Sequence, residues 1–173
     1  GLDLNDRDLS DVDLTGAKLR GASMQGAKLT NSLLFAADLT MVNLEGATMS
    51  RTDLRGACFR GAILTDAIMI EADLREGVLA RHSNNTNLEV MEIGSTPAEL
   101  TTVLAARTNL TKAKLGNAFV VQADFTDAIL KNAQMARADL RNTVLIGADL
   151  EGADLSDSNL AGAVLCGANL TST

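Results

Sequence analysis

The sequence predicts an all-β solenoid, a rod in which the chain turns a corner every five residues. Large apolar residues recur at every fifth position from Leu4 to Leu79 and again from Leu110 to Leu170. From Ala17 to Ala72, and again from Thr108 to Ala168, the residue two places before each of these positions is Ala, Ser, Thr or Val. A period of five fits neither the helix period of 3.6 nor the strand period of 2. The pattern therefore indicates short repeated units stacked around a shared apolar interior.

The two recurring positions define which side chains point inward. The large residue and the small one two places before it fill the interior, whereas the residues that flank the large one point outward. Ten glycines stand two places after a large residue, where tight corners favour the positive φ that glycine tolerates. These are Gly16, Gly21, Gly26, Gly46, Gly56, Gly61, Gly147, Gly152, Gly162 and Gly167. We expect them to form corners of the rod.

Several segments carry a more specific signature. Ala37-Asp38-Leu39-Thr40, Ala153-Asp154-Leu155-Ser156 and Ala168-Asn169-Leu170-Thr171 resemble the pentapeptide-repeat family, whose pattern is A(D/N)LXX. The resemblance covers roughly 145 of the 173 residues. It implies a right-handed quadrilateral β-helix with about 20 residues per coil, in which residues 20 apart stack at about 4.8 Å.

The repeat is divided into two blocks within one solenoid domain. The first block spans residues 1–79, about four coils, and the second spans 108–173, about three coils. The step from Leu79 to Leu110 is one residue longer than a multiple of five, so the register shifts by one residue. Residues 80–107 form the interruption.

The end of the interruption carries helix-start signals. Thr96 is a suitable N-cap, Pro97 suits the first helical position and Glu99 completes a capping box. Leu100, Val103 and Leu104 would form an apolar stripe, so the pattern predicts a short helix near 97–106. In the alternative interpretation the coils continue, because Leu100 and Ala105 are in phase with Leu110. The small size of Ala105 for a central position favours the helix.

Two sets of outward apolar residues are candidate contact surfaces. One set flanks the interruption, where the inserted segment packs on it or a partner binds it; it comprises Ile63, Ile68, Ile70, Val78, Phe119 and Val121. The other set forms a strip on the last coils and comprises Val144, Ile146, Val164 and Cys166. A contiguous apolar strip indicates a contact site, and we expect a homodimer there. A capping segment outside this sequence is the alternative occupant.

The sequence contains no constellation typical of catalysis. His82 is the one histidine and lies in a polar stretch, and no Cys/His cluster has metal-ligand spacing. Cys58 and Cys166 belong to different blocks, so we expect no disulfide. Asp53 and Asp73 share an outward row with Asp13 and lie beside Arg55 and Arg75, which predicts a surface salt-bridge lattice. We therefore expect no enzyme activity, no metal and no cofactor.

Charge and hydropathy restrict the partners. The net charge of −7 is spread along the chain and disfavours direct binding of nucleic acid or an anionic membrane. No apolar run reaches the length of about 18–20 residues that spans a bilayer, and two cysteines are typical of a reducing compartment. We expect a cytoplasmic protein with no membrane insertion.

Two functions remain open after these exclusions. The first is a structural scaffold that presents its faces to a partner protein, whose identity the sequence does not specify. The second is a DNA-mimicking modulator of a type II topoisomerase, which the resemblance to gyrase-protecting pentapeptide proteins implies. Those relatives favour Phe at the central position and are strongly acidic. This chain favours Leu and intersperses Arg and Lys among its acids.

Overall fold

The backbone forms a stack of coils with a repeat of 20 residues. A computed structural model describes residues 1–75, 77–78, 95–96 and 103–173. The residue before each central position pairs in parallel with its equivalent 20 residues later, from Asp3 with Ser23 to Asp149 with Asn169. Residues 20 apart therefore stack on neighbouring coils outside the interruption. The strand segments are single pairings separated by corners, as a five-residue period requires.

Hydrogen bonds between neighbouring coils hold the stack together. The amide of Leu4 donates to the carbonyl of Ser23 at 2.7 Å, and the amide of Ser23 donates to the carbonyl of Leu2 at 2.9 Å. The amide of Gly16, at a corner, donates to the carbonyl of Phe35 on the next coil at 2.8 Å. Each coil thus satisfies the backbone groups of its neighbours, and cohesion propagates along the axis.

The interior consists of large and small apolar side chains in alternating slots. Central residues such as Leu54 and Phe125 are completely buried or nearly so, and so are the alanines two places before them. Four small slots instead hold a buried hydroxyl, and each hydroxyl donates to a backbone carbonyl; they are Ser32, Thr52, Thr108 and Thr143. Within the described ranges, no buried side-chain nitrogen or oxygen lacks a hydrogen-bond partner.

The corners share one backbone conformation whatever residue occupies them. The ten predicted corner glycines all have positive φ, between 63° and 74°. Eighteen other residues of the described ranges have the same conformation, including Met41 at φ 56° and Arg51 at φ 57°. The stacking of the coils therefore imposes the corner geometry, and glycine only lowers its cost.

The Asp or Asn that precedes many central residues has a structural role. The Oδ1 atom of Asp13 accepts a hydrogen bond from the amide of Thr15 at 2.9 Å, and that of Asp38 accepts one from Thr40 at 3.0 Å. Asn43 does the same for Glu45 at 3.1 Å. An Asx side chain is short enough to bond the backbone two residues onward, which explains this preference of the repeat.

The coils on the two sides of the interruption pair directly with each other. Across it the parallel pairings join residues that are 41 apart instead of 20, so this one coil contains 21 more residues than its neighbours. The three pairs are Ile63 with Leu104, Ile68 with Asn109, and Asp73 with Lys114. Two short strands, β1 at Gly77–Val78 and β2 at Ser95–Thr96, pair antiparallel with each other.

The predicted helix near 97–106 is wrong over residues 103–106, and residues 97–102 lie outside the described residues. Val103 is fully buried, Leu104 is half exposed and Ala105 is fully buried, which is the alternation of an extended segment. Leu104 also takes part in the parallel pairings, so the regular coil has resumed by Val103. The described residues contain no helix.

Ala105 fits a central slot because its neighbours supply the missing volume. The slot two residues earlier, which holds Ala in most coils, here holds the larger Val103. The central residue stacked one coil further on is Phe125, one of the largest fully buried side chains. Larger side chains in the adjacent slots thus accompany the small residue in this central slot.

Candidate functional site

The strip on the last coils forms a two-by-two array. Val144 and Val164 pair in parallel on adjacent coils, and Ile146 and Cys166 follow each of them by two residues. Val164 is 40% exposed and Ile146 is 42% exposed, while Val144 is half-buried and Cys166 is exposed. The structure therefore brings together the four residues that the sequence grouped as a contact.

The candidate residues around the interruption are divided among three faces. Ile63 lies on one face, Ile68 precedes the corner that holds the half-buried Ile70, and Phe119 lies on a third face beside the half-buried Val121. Phe119 is 42% exposed. They therefore surround the rod instead of forming a single patch. The alternative in which the inserted segment packs on them depends on residues that lie mostly outside the described ranges.

The sequence reasoning missed two exposed apolar residues that stack next to the candidate residues around the interruption. Leu104 is 52% exposed and stacks directly on Ile63, and Ile129 is 37% exposed and stacks on Asn109, the neighbour of Ile68. Both stand one residue before a central position, which is an outward slot. Placing Ala105 in a central slot would have identified Leu104, and the register of Leu130 would have identified Ile129.

Two members of the outward Asp row, Asp53 and Asp73, form ion pairs with the Arg two residues further on, whereas Asp13 accepts a hydrogen bond from the amide of Thr15. The Arg55 guanidinium approaches the Asp53 carboxylate at 2.6 Å and lies over the Phe35 ring at 5.6 Å. Arg75 and Asp73 repeat the pair at 2.7 Å on the next coil. Burial alone would raise the pKa of Asp73, but hydrogen bonds from Arg75 outweigh it and lower that pKa.

Further along the rod, basic residues neutralise much of the remaining acidity. Lys131 binds Asp149 at 3.1 Å and Glu151 at 2.9 Å, and hydrogen bonds to these carboxylates raise the pKa of Lys131. Arg141 pairs with Asp139 at 2.7 Å. The described faces thus carry mixed charge.

A shallow pocket of about 390 Å³ opens beside the interruption. Its lining consists of three cationic side chains, one acid and one amide, namely Arg51, Lys112, Lys114, Glu71 and Gln134. Lys112 approaches Glu71 at 3.9 Å, and both side chains are about half exposed. The sequence did not suggest this pocket, because the pairings that skip over the inserted segment bring its two halves together.

The part of the chain that the structure describes contains no arrangement typical of metal chemistry. No group of three or more His, Cys, Asp and Glu residues there could hold a metal ion. Cys58 and Cys166 form no disulfide. No helix within the described ranges is long and apolar enough to cross a membrane.

These observations define a class: a parallel β-helical protein built from stacked five-residue units with an inward Leu or other large apolar residue. Eight copies of the family model for pentapeptide repeats match residues 1–34, 33–66, 106–142 and 133–171. These matches cover more than half of the chain, which therefore belongs to the pentapeptide repeat family. The chain matches no curated protein sequence significantly.

Solved structures of similar fold include other members of this family. A trypsin-treated form of QnrB1, a plasmid-mediated fluoroquinolone resistance protein, is 17% identical over 99% of this chain and 73% of that chain, with a TM-score of 0.58. HetL, a pentapeptide repeat protein involved in heterocyst differentiation regulation in the cyanobacterium Nostoc sp. strain PCC 7120, is 23% identical over 98% of this chain and 87% of that chain, with a TM-score of 0.37. At these identities the similarity to QnrB1 establishes a shared fold alone.

Proposed function

We propose that the protein is a non-enzymatic scaffold whose rod presents its faces to a partner protein. The supporting observation is the two-by-two apolar array at the end of a rod whose other faces carry mixed charge. An array of exposed Val and Ile side chains is costly in water unless a partner covers it. We further propose that the rod is a right-handed quadrilateral β-helix, with one face for each of the four units in a coil, and that it functions in the cytoplasm without a cofactor.

The proposed partner at the C-terminal strip is a second copy of the chain. Two stacked coils span only about 10 Å along the axis, whereas a stable interface buries about 800 Å² on each partner. Val144, Ile146, Val164 and Cys166 would therefore form the apolar centre of a larger contact. The corner glycines next to them, Gly147 and Gly167, add no side chains that would hold a partner away.

Replacing Val164 with Glu tests this interface. A charge in the centre of an apolar contact is strongly unfavourable, so sedimentation velocity should show the variant shifted toward monomer relative to the parent. Ile129→Glu is the matched control, since Ile129 is 37% exposed on another face and its replacement should leave the mass unchanged. A monomeric parent, or an identical mass for the parent and Val164→Glu, would contradict the homodimer.

The second candidate is a DNA-mimicking modulator of a type II topoisomerase. The fold similarity to QnrB1, a fluoroquinolone resistance protein, favours it. Mimicry of duplex DNA requires a continuous negative face, however, and Arg55, Arg75 and Lys114 interrupt the Asp row of this chain. A gyrase supercoiling assay with a large molar excess of the protein separates the two candidates. Altered supercoiling would favour the modulator, and unchanged supercoiling would eliminate it.

A further inference from the structure

The pocket beside the interruption concentrates positive charge on an acidic protein. Arg51, Glu71 and Lys112 stack at one corner on three successive coils. Lys114 lies on the adjoining flat face, two residues after Lys112, and Gln134 stacks on Lys114. Three cations and one carboxylate line the pocket, and Asp73, which pairs with Lys114 on the adjoining face, is a second acid nearby; the chain as a whole has a net charge of −7.

The cations of this pocket have N–H groups that do not donate to any other described residue. Arg51 uses its Nε atom to donate to the Oδ1 atom of Asn31 at 2.9 Å, and among the described residues no hydrogen bond involves the terminal nitrogens of its guanidinium. The Nζ atom of Lys112 is 3.9 Å from Glu71, too far for a hydrogen bond. Among the described residues, Lys114 has no salt-bridge partner. Elsewhere on the rod, by contrast, Arg55, Arg75 and Arg141 each form a close bidentate pair with Asp.

Arg51, Glu71 and Lys112 have the positive φ, between 57° and 60°, that the other corners of the rod share. Asn31 and Asn132 occupy the equivalent corners of the same stack. This backbone conformation is therefore a property of the fold, and the assignment of a site rests on the charge and the available donors of the lining.

We propose that Arg51, Lys112 and Lys114 bind a small multivalent oxyanion of the phosphate type. A guanidinium fork and two ammonium groups match the several oxygens of a phosphate, and the Gln134 amide supplies a neutral donor. Glu71 sets the affinity, because its carboxylate competes with the anion for Lys112. This site is separate from the apolar strip, so it does not depend on the scaffold proposal.

Isothermal titration calorimetry of the full chain with pyrophosphate, at constant ionic strength, tests the site. Lys112→Asn and Lys114→Gln should each weaken binding about fivefold, the effect of one exposed charge contact. Asn is compatible with the corner, as Asn132 demonstrates one coil away. Glu71→Gln should strengthen binding by a similar factor. Lys18→Gln, which removes an equal charge from a different face, is the matched control and should leave the affinity unchanged.

Three results would overturn the proposal. The first is no heat of binding for the parent up to about 10 mM pyrophosphate, a weaker affinity than one contact of each cation would provide. The second is an equal loss in Lys18→Gln and Lys114→Gln, because net charge would then account for binding. The third is an unchanged affinity in Glu71→Gln. Melting temperatures of all variants, measured without anion, verify that each one is folded.

Discussion

Leu54→Ala is the substitution for which the structure allows the clearest energetic prediction. Leu54 is fully buried in a central slot, and it stacks between Leu34 and Leu74 on the neighbouring coils. The substitution removes three carbon atoms from a close-packed column, so their transfer free energy no longer stabilises the fold. It also leaves a cavity that the regular coils cannot close.

The magnitude follows from the number of atoms removed. At about 0.8 kcal/mol per buried methylene, the transfer term is about 2.4 kcal/mol, and the cavity raises the total to about 3 kcal/mol. Leu33→Ala is the matched control, because Leu33 is 45% exposed on the outer face beside Leu34. Its unfolding free energy should change by less than about 0.5 kcal/mol.

Urea unfolding followed by circular dichroism measures both variants. A lower midpoint with an unchanged slope is expected for Leu54→Ala. The double variant Leu54→Ala/Leu74→Phe should recover part of the loss, because Phe125 stacks on Ala105 in the same way. A loss below about 1 kcal/mol for Leu54→Ala would refute the view that central slots are close-packed.

The remaining predictions concern polar groups. Thr52→Val should destabilise the fold by about 1 kcal/mol, because the Thr52 hydroxyl donates to the Leu29 carbonyl at 2.9 Å and the Met49 carbonyl at 2.8 Å. Thermal unfolding measures this change, and Thr48→Val, at an outward slot, is the control. Hydrogen bonds from Thr40 and Arg141 lower the pKa of Asp38 and of Asp139 respectively, so the unfolded chain takes up protons first on acidification. Stability should therefore be constant above about pH 5 and should fall as the pH drops through the unfolded value of 3.8 toward the lower folded values. Asp139→Asn should make that decline shallower in pH-dependent melts, and an unchanged acid profile would contradict the assignment.

The repeat was predictable because one physical rule acts at every coil. Each central residue is buried by its equivalents on the coils before and after it, so the same inward pattern must recur along the chain. The corner glycines were found for the same reason. The preference for Asp or Asn before the central residue was visible in the sequence. Only the structure shows that this side chain accepts a hydrogen bond from the backbone amide two residues onward.

The helix prediction failed over residues 103–106 because it gave more weight to local sequence signals than to the repeat. The capping-box signals at Thr96 and Glu99, with Pro97 between them, would contribute only about 1 kcal/mol. If the repeat instead continues from Leu110 back through Ala105, the segment gains the parallel pairings of a coil. These pairings stabilise the chain more than the capping box would. The prediction considered the size of the Ala105 side chain without its neighbours, whereas Val103 and Phe125 provide the volume that makes it fit.

The cationic pocket could not be derived from the sequence for a geometric reason. Arg51 and Lys112 lie on opposite sides of the interruption, and their proximity depends on the one coil whose pairings skip over the inserted segment. The C-terminal array, by contrast, lies in uninterrupted coils, so the regular spacing of the repeat was enough to place Val144 beside Val164.

Three parallel pairings connect the two blocks directly across the interruption, through Ile63, Ile68 and Asp73. The covalent path between the blocks is therefore separate from the contacts that hold them together. A chain cut once within residues 79–94 should behave as two complementary fragments that remain assembled through their shared coil. Association of the two fragments would show that the pairings through Ile63, Ile68 and Asp73 suffice to hold the blocks together.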